Sequence, residues 1–265
     1  MASTKVYGMD GKTDGSIELP QFFIGDVKIP LIIKVVSAIQ SNKRQSYGTD
    51  PLAGARSSAH YHGSRHYRFS MMNKEMARIS RIHGKVGYLA MTARVVVQAV
   101  KGRRGMPPRA EKNWTKKINR KEMAAAIKSL IAATANKEMV KARGHRYASE
   151  LPVIVVNDFE NVSKAKEIYT LLENILGREE MERCSERKVR AGRGKTRGRK
   201  YKVKAGPLLV FSKACPAMRA CASLPGVASA TASSVSAEML APGARPGRLT
   251  VYTQSAIDAL KKRLE

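Results

Sequence analysis

Acidic residues are scarce in this chain of 265 residues: 21 Asp and Glu stand against 49 Lys and Arg, for a formal net charge of +28. Cysteine is scarcer, and tryptophan occurs once. The three cysteines, Cys184, Cys215 and Cys221, are too few and too scattered for a disulfide framework, and their spacing matches no zinc knuckle. Free thiols in a reducing compartment are the expectation. No apolar run reaches the ~18 residues of a membrane-spanning helix. The polar stretch Met1 to Thr13 lacks the apolar centre of a secretory signal, which points to the cell interior. A peripheral membrane role is disfavoured too, because the basic segments are dotted with Gly, Ser and His and carry no sustained apolar stripe.

What is present is enough apolar residue, 43%, to build a substantial core in one large domain or two small ones. The charge is confined. Residues 41 to 121 hold nineteen Lys and Arg against Asp50, Glu75 and Glu111, and residues 187 to 204 hold ten basic residues and no acid. These two segments carry 26 of the 28 units, leaving the remainder close to neutral. Like charge at that density repels itself unless a polyanion neutralises it, and nucleic acid is the leading candidate.

The pattern outside the basic segments alternates strands and helices. Short strands are expected at 4–7 and 16–19, then a helix from Leu31 to Asn42 with Pro30 at its start. From 43 to 119 regular patterning fades, and YLAMTARVVVQAV at 88–100 fits a short helix or a strand. A helix is expected over 121–135, prolonged through Met139 and Val140. LPVIVV at 151–156 and GPLLVFS at 206–212 are apolar runs suited to strands buried on both faces. A helix over 163–176 should stop at Gly177, a short one should cover 216–224, and strands are expected at 227–231 and 249–253. A helical turn is expected at 236–240, and Ser255 should cap the last helix. This predicts a three-layer α/β domain with a mostly parallel sheet, built from 1–42 and 120–265. A long extended basic loop, 43–119, is inserted in it, and 187–204 forms a second basic loop.

Enzymatic signatures are weak. Asp158 follows a predicted buried strand, where a doubly wound fold keeps its chemistry, but a lone acid there is more often a turn or helix-cap residue. An RNA-processing enzyme using Asp158, Asp10 and Glu160 is one reading of a basic α/β chain, and an RNA chaperone is another. Gly194, Lys195 and Thr196 imitate the end of a phosphate-binding loop, yet position 189, where that motif needs glycine, is Val189. His62 and His66 have metal-compatible spacing but no convincing third ligand nearby, so neither metal nor cofactor is expected. For phosphate contact the candidates are Arg56, Arg65, Arg68, Arg78, Arg81, Arg94, Lys101, Arg103, Arg104 and Arg109 in the first block. In the second they are Arg193, Lys195, Arg197, Arg199, Lys200 and Lys202. Arginine supplies a rigid fork for phosphate and lysine a mobile charge, while interleaved glycines permit close approach. Tyr61, His62, Tyr67 and Trp114 are candidates for stacking on unpaired bases, and Trp114 alternatively anchors the extension. Without a helix-turn-helix, zinc finger or basic zipper, irregular RNA fits better than duplex DNA.

Five pieces resemble, in order, the universal large-subunit ribosomal protein L-four family in its archaeal and eukaryotic form. They are YGTDPLAGARSSA at 47–59, QAVKGRRGMPPRAEK at 98–112, SLIAATA at 129–135, VRAGRGKTRGRKY at 189–201 and APGARPGRLTVYTQSA at 241–256. The resemblance implies a non-enzymatic structural protein of the large subunit in the cytoplasm. Its α/β body would lie on the subunit surface among neighbouring ribosomal proteins. Its extension, with the inner portion within 56–105, would run through ribosomal RNA to the wall of the peptide exit tunnel, near the nascent peptide. HYHGSRHYRF at 60–69 departs from the family pattern, with His60 and His62 where an acid and an aromatic are usual.

Overall fold

The computed structural model describes residues 3–83 and 87–264, so positions 84–86 of the expected extension lie outside the described residues. The chain divides into two compact units, one made of 1–43 and 115–265 and the other of 44–114.

In the first unit, β1 (Ser3–Tyr7) and β2 (Thr13–Glu18) form an antiparallel hairpin. The strands β3 (Val153–Val155), β6 (Leu208–Phe211), β7 (Ala228–Thr231) and β8 (Thr250–Thr253) join it in one six-stranded sheet, ordered β2-β1-β3-β8-β6-β7. Every pairing except β1 with β2 is parallel. The central strands VIV, LLVF and TVYT are buried at every position, as a sheet covered on both faces requires.

Alternation along the strands sorts two cores. Val6, Ile154, Leu208, Val210 and Tyr252 face α1 (Ile29–Asn42), α2 (Arg120–Ala135), α7 (Ala237–Leu240) and α8 (Gln254–Leu264). Val153, Val155, Leu209, Phe211 and Val251 face α3 (Lys137–Arg143), α4 (Ala165–Leu176), α5 (Arg178–Ser185) and α6 (Pro216–Cys221). The expected three-layer α/β architecture is therefore present. Fully buried Tyr252 satisfies its hydroxyl at 3.0 Å from Thr134 Oγ1, which itself donates to the Ile131 carbonyl. Pro30 sits in the first turn of α1, where its missing N–H costs nothing. At the end of α4, Gly177 adopts φ 92°, a left-handed value that glycine takes without steric cost.

Three local expectations are corrected. Met139 and Val140 do not prolong α2: the Asn136 side chain accepts from the Glu138 and Met139 N–H groups and starts α3 afresh. Ser255 is not the cap of α8. It lies inside the first turn, where its hydroxyl donates to Glu160, while Thr253 Oγ1 receives the Ala256 N–H. The run 88–100 is neither helix nor strand but turns and bends, after a 3-10 turn at Gly87–Leu89. The second basic loop, 187–204, is built as a β-hairpin of β4 (Arg187–Val189) and β5 (Tyr201–Val203).

The unit 44–114 has another character. Among its described residues only Met71 is a fully buried apolar side chain, whereas Tyr88 is 85%, Val100 76% and Met106 97% exposed. Its order comes from turns, two isolated bridges (His60 with Arg81, Arg81 with Ala93) and close backbone approach. Gly54 illustrates the last: at φ +78° a Cβ there would lie 2.4 Å from the Gly102 carbonyl oxygen, so only glycine fits. Asn73, Met91, Val95 and Lys101 also carry positive φ, which is unfavourable for non-glycine residues and most so for β-branched Val95.

Candidate nucleic-acid interface

The hairpin of β4 and β5 displays the second basic block. Both strands are exposed throughout, and their arms diverge into a 3-10 turn, Arg193–Arg197, entered at Gly192 (φ 77°) and left at Gly198 (φ 79°). Arg193, Lys195, Arg197, Arg199, Lys200 and Lys202 are all exposed. Glu186, just before the hairpin, pairs with Lys188 at 3.2 Å and Lys204 at 2.6 Å, while the stretch from Arg190 to Lys202 holds no acid. Gly194, Lys195 and Thr196 lie on this exposed turn, far from the strand-to-helix setting of a phosphate-binding loop, and the Thr196 hydroxyl donates to the Arg193 carbonyl.

The hairpin root is held by a buried ionic cluster that sequence patterning missed. Arg183 on α5 grips Glu180 through Nη2 at 2.6 Å and Nε at 2.8 Å, and donates to the Ala205 carbonyl at 3.0 Å. His145 Nδ1 lies 2.7 Å from Glu180 Oε1, and the Arg146 N–H donates to Oε2 at 2.9 Å. Burial pushes the Glu180 carboxyl up, but the bonds from Arg183, His145 and Arg146 outweigh it and hold it at about 2. Burial likewise lowers His145, beyond what Glu180 restores, so the ring is neutral near pH 7 and donates from Nδ1. The 3.0 Å approach of Arg183 Nη2 to that same nitrogen is then proximity, not a hydrogen bond. Beside the root, Arg143, Arg146 and Arg245 join Lys202 and Lys204 around a cleft of about 470 Å³. Burial and the charges of Arg245 and Arg183 lower the Arg143 pKa. Arg143 ends α3, Arg146 follows just after Gly144 and His145, and Arg245 comes from the turn before β8, so no basic run in the sequence announces them.

In the unit 44–114, Arg56, Arg65, Arg68, Arg78, Lys101, Arg103, Arg104 and Arg109 are exposed. Arg56 pairs with Asp50 at 2.9 Å, an exposed contact that phosphate can replace. Arg81 and Arg94 are different. Arg81 donates to the Met91 and Ala77 carbonyls and Arg94 to those of Ala93 and Val100, so both half-buried guanidiniums brace the backbone of the unit. Tyr61 and Tyr67 keep 42% and 60% of their surface open to a stacking partner. Trp114 has its ring engaged: it stacks on Tyr47 at 5.8 Å, with Arg44 and Lys112 at 4.3 and 4.4 Å from the ring centroid. That contact joins the two ends of the segment, together with the bond from the Thr49 N–H to the Pro108 carbonyl at 2.9 Å.

His62 and His66 are not brought together as ligands. His66 is exposed, while His60, His62 and His83 place one ring nitrogen each within 4.8 Å of one another. Partial desolvation and the neighbouring His60 and His83 lower the His62 pKa.

At the C-terminal ends of β3, β6 and β8, the usual catalytic position of such a sheet, stands Glu160. It accepts from Thr253 Oγ1 at 2.7 Å, from Ser255 and Ser212 hydroxyls at 2.8 Å each, and from the Ser212 N–H at 3.0 Å. Burial raises this carboxyl, yet those bonds prevail and lower its pKa. Three of these donors fall on Oε1 and one on Oε2, and together they tie the ends of β3, β6 and β8 to one carboxylate. Asp158 is exposed. Burial pushes the thiols of Cys184 and Cys221 up to about 11 and about 12, which leaves them protonated and unreactive near neutrality.

Comparison with known proteins agrees along the chain. The sequence model of the Ribosomal protein L4/L1 family matches residues 17–263. Relatives named Large ribosomal subunit protein uL4 include that of Archaeoglobus fulgidus, 42% identical over 97% of this chain and 97% of its own length. That of Halorubrum lacusprofundi is 44% identical over 97% and 98%, and that of Sulfolobus acidocaldarius 41% over 98% and 94%. With a family match over nearly its full length, two exposed basic surfaces and a buried α/β body, this chain belongs to the Ribosomal protein L4/L1 family.

Proposed function

We propose that this chain is a non-catalytic structural constituent of the large ribosomal subunit in the cytoplasm, binding large-subunit ribosomal RNA and helping to form the exit-tunnel wall. The observation that carries this reading is the full-length kinship with archaeal relatives named Large ribosomal subunit protein uL4. The two basic surfaces supply the chemistry. Counterion release at phosphates provides most of the affinity, while shape and stacking by Tyr61 and Tyr67 set the register. The unit 44–114, with its outward apolar side chains and single buried methionine, is built to finish its core against RNA. Its inner part, within 56–105, lies near the nascent peptide, and the α/β body contacts neighbouring ribosomal proteins.

The test is addition of purified full-length chain to large-subunit particles depleted of it. Stable co-sedimentation that restores peptide synthesis is the expected result. Failure to enter the particle, or turnover of RNA by the protein alone, contradicts the reading.

A further inference from the structure

Three imidazoles from two separated stretches, His60, His62 and His83, meet in the unit 44–114. Their ring centroids lie 4.2 Å apart for His60 and His62, 4.5 Å for His60 and His83, and 4.4 Å for His62 and His83. One nitrogen of each falls within 4.8 Å of the others. With metal–nitrogen bonds of about 2.0–2.1 Å in a tetrahedral site, the nitrogens stand roughly 3.4 Å apart, so a modest closure of the group is needed.

The hydrogen bonds around the rings favour a metal over mere stacking. His60 Nδ1 lies 2.9 Å from the Ser58 carbonyl and His83 Nε2 lies 3.1 Å from the His60 carbonyl. A carbonyl only accepts, so each of these nitrogens carries the proton, and the other nitrogen of each ring is left with a lone pair. In His83 that other nitrogen, Nδ1, is buried and has no hydrogen-bond partner among the described residues. A buried acceptor without a donor is costly, and a cation is the species that satisfies it. Two of the three rings, His60 and His83, are fixed through one nitrogen by a backbone carbonyl, as metal-bound histidines commonly are.

The surrounding unit supplies an independent reason. With Met71 as the only fully buried apolar side chain among its described residues, 44–114 lacks the core that would fix its turns. Small units of this kind are commonly held by a metal or a disulfide, and the three cysteines all lie elsewhere, at 184, 215 and 221. A cation at this point ties residues 60–62 to residue 83 across the bridge between His60 and Arg81.

We propose that His60, His62 and His83 bind one zinc ion, with a fourth position open to water or a phosphate oxygen. Imidazole donors select zinc and its transition-metal neighbours over magnesium or calcium, which take oxygen. The inference stands apart from the RNA-binding reading, since the protein alone should take up the metal.

The experiment titrates untagged, metal-free, full-length protein with zinc chloride alone, measuring affinity by competition with a chromophoric chelator and stoichiometry by metal analysis. One equivalent is expected, with a dissociation constant in the micromolar range or tighter. His60→Ala, His62→Ala and His83→Ala should each weaken binding at least about tenfold, while His66→Ala should not. Cobalt(II) in place of zinc should give the visible bands of a tetrahedral site without thiolate charge transfer. Zinc should also slow proteolysis within 58–93 in the parent chain and in His66→Ala, but in none of the other three variants. Circular dichroism dominated by the separate α/β core confirms that each variant is folded. Absence of stoichiometric binding, equal binding by all variants, or a thiolate signature in the cobalt spectrum would each overturn the proposal.

Discussion

Removing the Glu180 carboxylate leaves Arg183 buried without its counter-charge, since both side chains are almost wholly inaccessible, at 0% and 7%. Breaking a buried pair from one side costs roughly 3–5 kcal/mol. Glu180→Gln should therefore lower the free energy of urea unfolding by about that amount, and a loss below 1 kcal/mol would show that the cluster carries little. The same residue makes stability depend on pH. Its folded value, about 2, lies below the 4.5 of an unperturbed glutamate, so its contribution is complete above about pH 4.5 and is lost as the pH falls toward 2. The amount at stake is on the order of 3 kcal/mol. Parent protein should show a falling denaturation midpoint across that window, and Glu180→Gln a flatter one. None of this cluster was legible in the sequence. REEMERCS at 178–185 has one large apolar residue, Met181, among charges, so neither its helix nor its burial stands out from hydrophobic spacing. Arg81 and Arg94 carry partners that the sequence does not show. As members of a basic run they look like phosphate ligands, and only the fold reveals the carbonyls that hold them.

At the scale of elements, strands β3 and β6 were legible because a strand covered on both faces has to be apolar at every position, as VIV and LLVF are. Helix α4 was legible from Ile168, Leu171, Leu172 and Ile175 on one face, with Gly177 after it. The β4–β5 hairpin was not, because exposed strands of Arg, Lys and Val carry no inward-outward alternation to read. The segment 88–100 misled for another reason. Its apolar residues are spread over turns, and Val97 and Val100 face outward, so hydrophobicity there does not report a core. The hairpin gives a direct prediction. Replacing Arg193, Arg197, Arg199 and Lys200 together with Gln should weaken binding to large-subunit RNA. It should also make the slope of log affinity against log salt shallower by up to about 3, because each lost phosphate contact removes roughly 0.7–0.9. Filter binding across a salt series reads both, and an unchanged slope means the tip touches no phosphate. The exposed turn lies outside either core, so thermal unfolding should stay within a degree or two of the parent.

For the whole molecule, net charge separates two kinds of construction. The body of 1–43 and 115–265 is built on two apolar cores, one on either face of one sheet. The unit 44–114 is held by turns, backbone contacts and braced arginines, with apolar side chains left outside. The Thr49 N–H donates to the Pro108 carbonyl at 2.9 Å, joining the two flanks, so deleting 56–105 and rejoining the ends with a few glycines places little strain on what remains. The deleted protein should keep the circular dichroism of the body and its cooperative unfolding, while its incorporation into large subunits falls at least about tenfold. A molten body, or unchanged incorporation, contradicts this division of labour. The central claim, that both basic segments lie against large-subunit RNA, is tested most directly by crosslinking assembled large subunits and mapping the joined residues and nucleotides. The account predicts crosslinks to large-subunit RNA from residues within 44–114 and within 187–204, with few from α4 and α8. Crosslinks confined to the body, or basic segments joined only to protein, would contradict it.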